Sequence, residues 1–343
     1  MKKVLMAAVM TAVLGISAVS AGVQAANENA YVDAPKNVVE MQKTQAPGFF
    51  RMMVGNYEVT ALFDGPGVLP TSLMEHHTDF TREELDEMID YNRAPRVNGL
   101  MSGAINAFLV NTGDHLILVD SGKGEGVAPI YLDKEGRTVD SLKEAGYSPD
   151  QVDVILLTHL HSDHIGGIIK EGKRVFKNAT LYIQEEDKAF WLDLPMDKMP
   201  EAAKPFAAIA RCAAEPYMKA GKVKLYHSGD TLFGEVKTIP LFGHTAGHTG
   251  MEFISKGESL LVWGDIMHNS AVQMDHPEVA IDFDSVDTEA RATRLALLPK
   301  LVENKTIVAA AHFPFPGLGY VQKKTDGDGC YWIPVQYKPF TQH

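Results

Sequence analysis

The stretch Val152-Asp153-Val154-Ile155-Leu156-Leu157-Thr158-His159-Leu160-His161-Ser162-Asp163-His164 decides how this chain is read. Its first half is a β-branched and leucine run, the pattern of a strand buried on both faces. Its second half puts three histidines and an aspartate within six positions, followed by Ile165-Gly166-Gly167, which suits a tight turn into a short helix. The cluster therefore falls on a loop at the end of a core strand, where a rigid sheet can hold side chains for function. Imidazole and carboxylate are ligands for borderline divalent ions, zinc above all. On an extended backbone His159 and His161 point to one side, while Asp163 and His164 follow where the chain turns. That arrangement suggests two metal ions rather than one. Ordinary loop polarity does not explain it, since desolvated imidazoles need partners.

Working outward, the later chain repeats the device. His244 and His248 sit in Gly243-His244-Thr245-Ala246-Gly247-His248 after a strand ending at Leu241. Asp265 follows Leu260-Leu261-Val262-Trp263-Gly264, and His312 follows Ile307-Val308-Ala309-Ala310-Ala311. A lone histidine is usually a satisfied core or turn residue. These agree with one another, because strand ends collect at one edge of a sheet and can converge on one cleft. Asp120, also at a strand end, reads either as a turn residue or as a carboxylate serving the same cleft.

The remaining patterns give mixed α and β structure. Expected strands are Tyr57 to Leu62, Ile105 to Val110, Leu116 to Val119, Thr180 to Ile183, Val223 to Tyr226, Glu235 to Leu241, Met251 to Ser255, Leu260 to Trp263 and Thr306 to Ala310. Pro66, Gly67 and Pro70 suggest a loop. Helices are expected at Thr81 to Ile89, with the capping pattern Thr-x-x-Glu, at Thr138 to Ala145, from Glu185, and at Asp287 to Val302. Glu201 to Ala220 reads as a helical stretch broken by prolines.

With 343 residues, 45% of them hydrophobic, the chain can build a large core. Its net charge of −12 gives no electrostatic footprint for nucleic acid or anionic membranes and favours a small neutral or apolar substrate. Residues 1–25 have the form of a signal peptide: Lys2 and Lys3, an apolar run, then Val23-Gln24-Ala25. An uncleaved membrane anchor is the alternative; removal would take the net charge from −12 to −14 and leave a periplasmic or secreted protein with no membrane segment. Residues 26–50 read as an extended arm and 51–343 as one folded domain. An exported protein permits a disulfide, but whether Cys212 and Cys330 pair is left open. The sequence leaves the oligomeric state open, a homodimer among the options.

His159-x-His161-x-Asp163-His164 resembles the signature of the metallo-β-lactamase superfamily. The resemblance implies an α+β fold, a four-layer αββα sandwich. It implies that His159, His161 and His244 bind one metal, that Asp163, His164 and His312 bind the other, and that Asp265 bridges them. His248 is then a supporting residue, and Asp120 matches a family carboxylate that orients ligands from outside. Two divalent ions, zinc by default though iron, manganese or cobalt suit the same ligands, would share a water and ionise it for attack on carbonyl or phosphorus. Asp163 and Asp265 would fix the ions and the hydroxide.

The departures discriminate between branches. Asp163 stands where the common zinc β-lactamases use cysteine, and His161 where the di-iron redox branch tends to carry glutamate. Hydrolysis is therefore favoured over electron transfer. Gln45-Ala46-Pro47-Gly48-Phe49-Phe50-Arg51, Trp263-Gly264-Asp265-Ile266-Met267-His268, Ile281-Asp282-Phe283-Asp284 and Ala311-His312-Phe313-Pro314-Phe315-Pro316-Gly317 are similar to the methyl parathion hydrolase group. Phosphotriesters, esters and lactones are the implied substrates. A β-lactamase or thioesterase of the same fold, or a non-catalytic metal-binding or sensory protein, is the alternative. His268 is the candidate proton donor. Phe190, Trp191, Phe313 and Phe315 are candidates for an apolar pocket or for plain core.

Overall fold

The computed structural model describes residues 39–124 and 136–340. The segment read as a signal peptide lies outside them, as does most of the arm. Regular structure begins at Phe49, so Phe49 and Phe50 belong to the first sheet rather than to the arm.

In chain order the strands are β1 (Phe49–Val54), β2 (Tyr57–Leu69), β3 (Arg96–Val97), β4 (Leu100–Asn111), β5 (Leu116–Val119), β6 (Val154–Leu156), β7 (Ile169–Lys170), β8 (Lys173–Arg174) and β9 (Thr180–Gln184). They continue as β10 (Val223–Tyr226), β11 (Thr231–Leu232), β12 (Val236–Pro240), β13 (Thr249–Ser255), β14 (Glu258–Val262), β15 (Ile307–Ala309), β16 (Leu318–Lys323) and β17 (Cys330–Pro334). One sheet runs β1-β2-β4-β5-β6-β9-β10, with β3 on β4, and the other runs β11 to β17 in sequence order. β7 and β8 form a separate pair.

Side-chain alternation makes four layers out of these two sheets. Phe108, Val110, Ile117, Val119, Val154 and Leu156 of the first sheet share a core with Met251, Phe253, Leu260, Val262, Ile307 and Ala309 of the second. The intervening residues face outward. Leu109, Leu118 and Ile155 pack with Leu142, Ala207, Ala210 and Tyr217 of the helices Thr138–Glu144 and Lys204–Lys219. Leu261 and Val308 pack with Leu297, Leu298 and Leu301 of the helix Asp287–Asn304. Because both faces of each sheet are covered, the central strands read as unbroken apolar runs. The fold is the αββα sandwich that the family resemblance implies.

Several boundaries differ from the sequence reading. β2 continues through Pro66 and Gly67 to Leu69, with its register shifting between Phe63 and Gly65. β1 pairs with β2 only as far as Leu62, so Pro66 lies where one edge of the strand is open and its missing N–H breaks no ladder bond. The prolines do not break the helix Lys204–Lys219: Pro205 sits in its first turn, where the N–H is unused, and Pro216 removes one bond from a helix held by buried Ala213, Ala214 and Tyr217. The helix beginning at Glu185 passes into a π-helical turn, Lys188–Asp193. β16 and β17, absent from the sequence reading, pair antiparallel at the edge of the second sheet with one face exposed. Thr81 caps Arg82–Tyr91 with the reciprocal Glu84 bond its sequence suggests. Cys212 is exposed, Cys330 is buried, and they do not pair. Among the described residues no helix is long and apolar enough to cross a membrane.

Candidate metal centre

β5 and β6 run parallel, and so do β14 and β15, so their C-terminal ends emerge side by side. Those ends carry Asp120, the Thr158–His164 loop, Gly264-Asp265 and His312. All seven residues assigned to metal binding arrive in one place. His159, His161, His244 and Asp265 form one set whose ligand atoms lie within 4.8 Å of one another, and Asp163, His164 and His312 form a second.

Asp265 is the junction. Its Oδ1 lies 3.1 Å from His164 Nε2. Its Oδ2 lies 3.1 Å from His312 Nε2, 3.3 Å from His244 Nε2 and 3.7 Å from His159 Nε2. One carboxylate thus faces both sets, the placement a bridging ligand needs. Gly264, at φ +58°, makes this approach: a Cβ there would stand 2.4 Å from His248 Nε2.

Hydrogen bonds around the rim fix the imidazoles. His164 Nδ1 donates to Asp120 Oδ2 at 2.8 Å, His244 Nδ1 to Asp284 Oδ1 at 2.9 Å, and His312 Nδ1 to the Ala104 carbonyl at 3.1 Å. Thr158 Oγ1 donates to Asp120 Oδ2 and so accepts from His159 Nδ1 at 3.0 Å. Four rings are held by Nδ1, and each presents Nε2 to the centre. His159 Nε2, His164 Nε2 and Asp265 Oδ1 are buried without a hydrogen-bond partner of proper geometry. Buried polar atoms left this way are expensive unless something binds them. Inward lone pairs on rings oriented by outer carboxylates are what a divalent ion requires, so the residues present fit a metal pair.

Beneath this layer, His248 is fully buried. Its Nε2 accepts the Asp265 N–H at 2.9 Å, so its Nδ1 carries the proton and donates to the Leu241 carbonyl at 2.7 Å. Burial and the neighbouring His244 charge push its pKa down to about 3. It is a neutral strut for the Asp265 backbone, in keeping with the supporting role expected of it. Asp187 ties two ligand-bearing loops together by accepting from Leu160 N and Gly247 N. Burial raises it to about 6, against the pull of its donors. Arg294, buried, donates to the carbonyls of Ile266, Pro277 and Val279 and lies 3.8 Å from Asp284, which braces the loop carrying that aspartate.

The electrostatics of the metal-free chain divide the histidines. Burial holds His159 and His161 well below the usual imidazole value. Burial also opposes protonation of His244, but its bonds to Asp265 and Asp284 raise it to about 9. Carboxylates likewise outweigh burial at His164 and raise His312. Burial disfavours ionised Asp265, yet His164 and His312 keep it well below the carboxylate range.

His268 is buried, with Nε2 3.2 Å from Asp265 Oδ2 and its ring stacked on His312 at 14° and 5.2 Å. The apolar pocket over the centre is lined by Val68, Leu69, Ile105, Phe206 and Phe283, together with His161, Asp163, Asp265, His268 and His312. The four aromatics singled out in the sequence do not line it. Trp191 packs edge-on against His161, Phe190 against Trp191, Phe313 against Trp263 and Trp332, and Phe315 against Phe63. Sequence reasoning missed Phe206 and Phe283 as pocket residues and Asp284, Asp187 and Arg294 as supports. The quoted Ile281-Asp282-Phe283-Asp284 segment was the one signal that could have found two of them.

Residues 101–312 match the family model described as the metallo-beta-lactamase superfamily. The chain is similar to the crystal structure of the hydrolase AbOPH in the beta lactamase superfamily, at 36% identity and a TM-score of 0.79, covering 86% of this chain and 100% of that one. It is similar to AidC, described as a dizinc quorum-quenching lactonase in complex with the product N-hexnoyl-L-homoserine, at 28% identity and a TM-score of 0.75, covering 85% and 99%. An N-acyl homoserine lactonase of Bacillus thuringiensis is 29% identical over 118 residues, 29% of this chain and 45% of that protein. The curated relatives are thus matched over less than half their length.

Proposed function

The chain belongs to the metallo-β-lactamase superfamily, and from that premise we propose that it is an exported dinuclear metallohydrolase that opens ester or lactone bonds in small neutral substrates. The observation that carries this reading is Asp265, whose two oxygens face both sets of candidate ligand atoms, with His159 Nε2, His164 Nε2 and its own Oδ1 buried and unpartnered. His159, His161 and His244 would hold one ion and Asp163, His164 and His312 the other, with Asp265 within reach of both sets. Such ions would supply Lewis-acid polarisation of the scissile group and a lowered pKa for water. The protein supplies the rest. Asp120 and Asp284 orient ligand rings, His248 holds the Asp265 backbone, and the apolar walls Val68, Leu69, Ile105 and Phe206 exclude bulk water from the reacting bond.

Zinc is the preferred ion, on the all-His/Asp donor set and on the description of AidC as dizinc. Lactones and esters are the candidate substrates, the lactones on the description of AidC as a lactonase in complex with its product. Phosphotriesters stand second, on the segments similar to the methyl parathion hydrolase group. The N-terminal pattern supports export, and the acidic charge supports a neutral substrate.

The test is a hydrolysis panel with zinc-loaded protein: an acyl-homoserine lactone, an aryl ester, an aromatic phosphotriester, a thioester and a cephalosporin. Turnover of the lactone or the ester is expected. Turnover of the cephalosporin alone, or of none with metal bound, would overturn the reading.

A further inference from the structure

The pocket over the metal ligands is small. Its cavity volume is about 50 Å³, room for roughly four waters. Beside it lies a cleft of about 600 Å³, and Gly103, His268 and His312 line both. The cleft has a different chemistry, with Arg93, Asn269 and Ser270 near Tyr91, Tyr331 and Trp332. Tyr91 and Tyr331 are exposed there. Lys324 also lines it, bound to Asp275 at 2.6 Å and over the Tyr331 ring. A substrate with any bulk cannot be contained by the first pocket, and the adjoining space is the cleft.

At the shared boundary, Gly103 is the one residue without a side chain, beside the rings of His268 and His312. Gly103 of β4 pairs across the ladder with Gly67 of β2, and both line the metal pocket. Neither has a left-handed backbone. A Cβ on Gly103 would meet only the His312 carbonyl oxygen at 3.5 Å, and one on Gly67 only Ile105 at 3.8 and 3.9 Å. These are ordinary contacts. Glycine inside a strand lowers stability relative to alanine and often marks the close approach of a ligand. Here neither backbone geometry nor packing calls for it, and what the two glycines supply is space.

We propose that the substrate crosses Gly103, with a small apolar acyl side in the pocket of Val68, Leu69 and Ile105 and a larger polar leaving side in the cleft between Arg93, Asn269, Tyr331 and Trp332. Gly103 is then the residue that sets the size of the leaving group, and Gly67 the one that sets room on the acyl side. This rests on the hydrolase reading and narrows its substrate class to open-chain esters whose alcohol part is bulkier and more polar than the acyl part, which puts such esters ahead of acyl-homoserine lactones, where the bulky amide sits on the acyl side.

The experiment uses the zinc-loaded full chain, Gly103→Ala, Gly103→Val and Gly67→Ala. One ester series keeps an acetyl side and enlarges the alcohol from methyl to a polar two-ring group; a second enlarges the acyl side on a methyl ester. A non-hydrolysable ketone analogue of the largest acetyl ester is titrated in parallel, read by quenching of Trp332 fluorescence with Trp332→Phe as the control. Metal content and melting temperature are measured for each variant, and neither should fall for the alanine variants. Gly103→Val should lower kcat/KM for the largest alcohol at least tenfold more than for methyl, through KM, and weaken the ketone in proportion. Gly67→Ala should act on the acyl series instead. Equal losses across both series, or unchanged ketone binding in Gly103→Val, would overturn the assignment. Failure of wild-type protein to hydrolyse either series while binding the ketone would instead sink the hydrolase reading and leave the two-part site standing.

Discussion

The metal centre has two walls that differ in how they are held. His159, His164 and His244 are buried to within 2% of full occlusion, and each ring is fixed by Nδ1, His164 and His244 directly on Asp120 and Asp284, His159 through Thr158. His161, Asp163 and His312 face the pocket, and the side chains of Asp163 and His312 keep 17% and 10% exposure. Each proposed ion draws ligands from both walls. The difference separates two tasks: the buried wall keeps the ions, and the open wall is where a substrate meets them. Asp265 belongs to neither wall and touches both.

Variants can break or sharpen that contrast. The largest effect is expected at Asp265. Asp265→Ala removes the one group facing both sets, so both ions should be lost to dialysis and kcat/KM should fall about a thousandfold or more. Elemental analysis and turnover on one sample check this, and an Asp265→Ala protein retaining both ions would dissolve the distinction between junction and walls.

Next come the carboxylates behind the buried wall. Asp120→Asn and Asp284→Asn leave the shape but weaken the hold on His164 and His244, and metal affinity should drop roughly 10- to 100-fold. Competition with a chromophoric chelator measures it. Equal affinity in all three proteins would mean that the outer bonds do not tune the centre.

A smaller effect follows from protonation. Burial opposes charge on His244, but Asp265 and Asp284 raise it to about 9 in the metal-free chain. A raised histidine stabilises the fold below its unfolded value of about 6.5 and loses that contribution as pH climbs through the folded value. Metal-free protein should therefore lose on the order of 3 kcal/mol between pH 6.5 and 9. His164 and His312 add in the same direction. His159 and His161, depressed by burial, titrate below this window. Urea midpoints in chelator at pH 6.5, 7.5 and 9 test the slope; a rise in stability over that range would reverse the sign. The same protons must leave on metal uptake, which calorimetry in buffers of different ionisation enthalpy detects.

The smallest change is at His248. It should keep a neutral ring with the proton on Nδ1 from pH 8 to pH 4, since burial holds it at about 3. Nitrogen-15 shifts of the ring report this, and protonation near pH 6 would remove it as the strut under Asp265.

Legibility in the sequence did not follow the division into walls. His159, His161, Asp163 and His164 are nearly consecutive after an unbroken apolar strand, so local pattern alone located them. His244, Asp265 and His312 needed the added argument that strand ends share an edge, which β5 with β6 and β14 with β15 bear out. Asp187 carried no signal as a support, and Asp284 only that of its quoted segment, because a single acid in a loop has no periodicity and its partners lie 27 to 60 positions away. The same holds for the strand through Pro66, where the residue's local preference was overridden by an open edge, and for β16 and β17, whose one-sided burial leaves little apolar pattern to read.

The central claim is that one carboxylate joins two ion sites. Native mass spectrometry of zinc-loaded wild type beside Asp265→Ala and Asp163→Ala measures it most directly. The expected result is two ions per chain in the wild type, one in Asp163→Ala and none in Asp265→Ala. Two ions retained in Asp265→Ala, or the same number in all three proteins, would contradict the account.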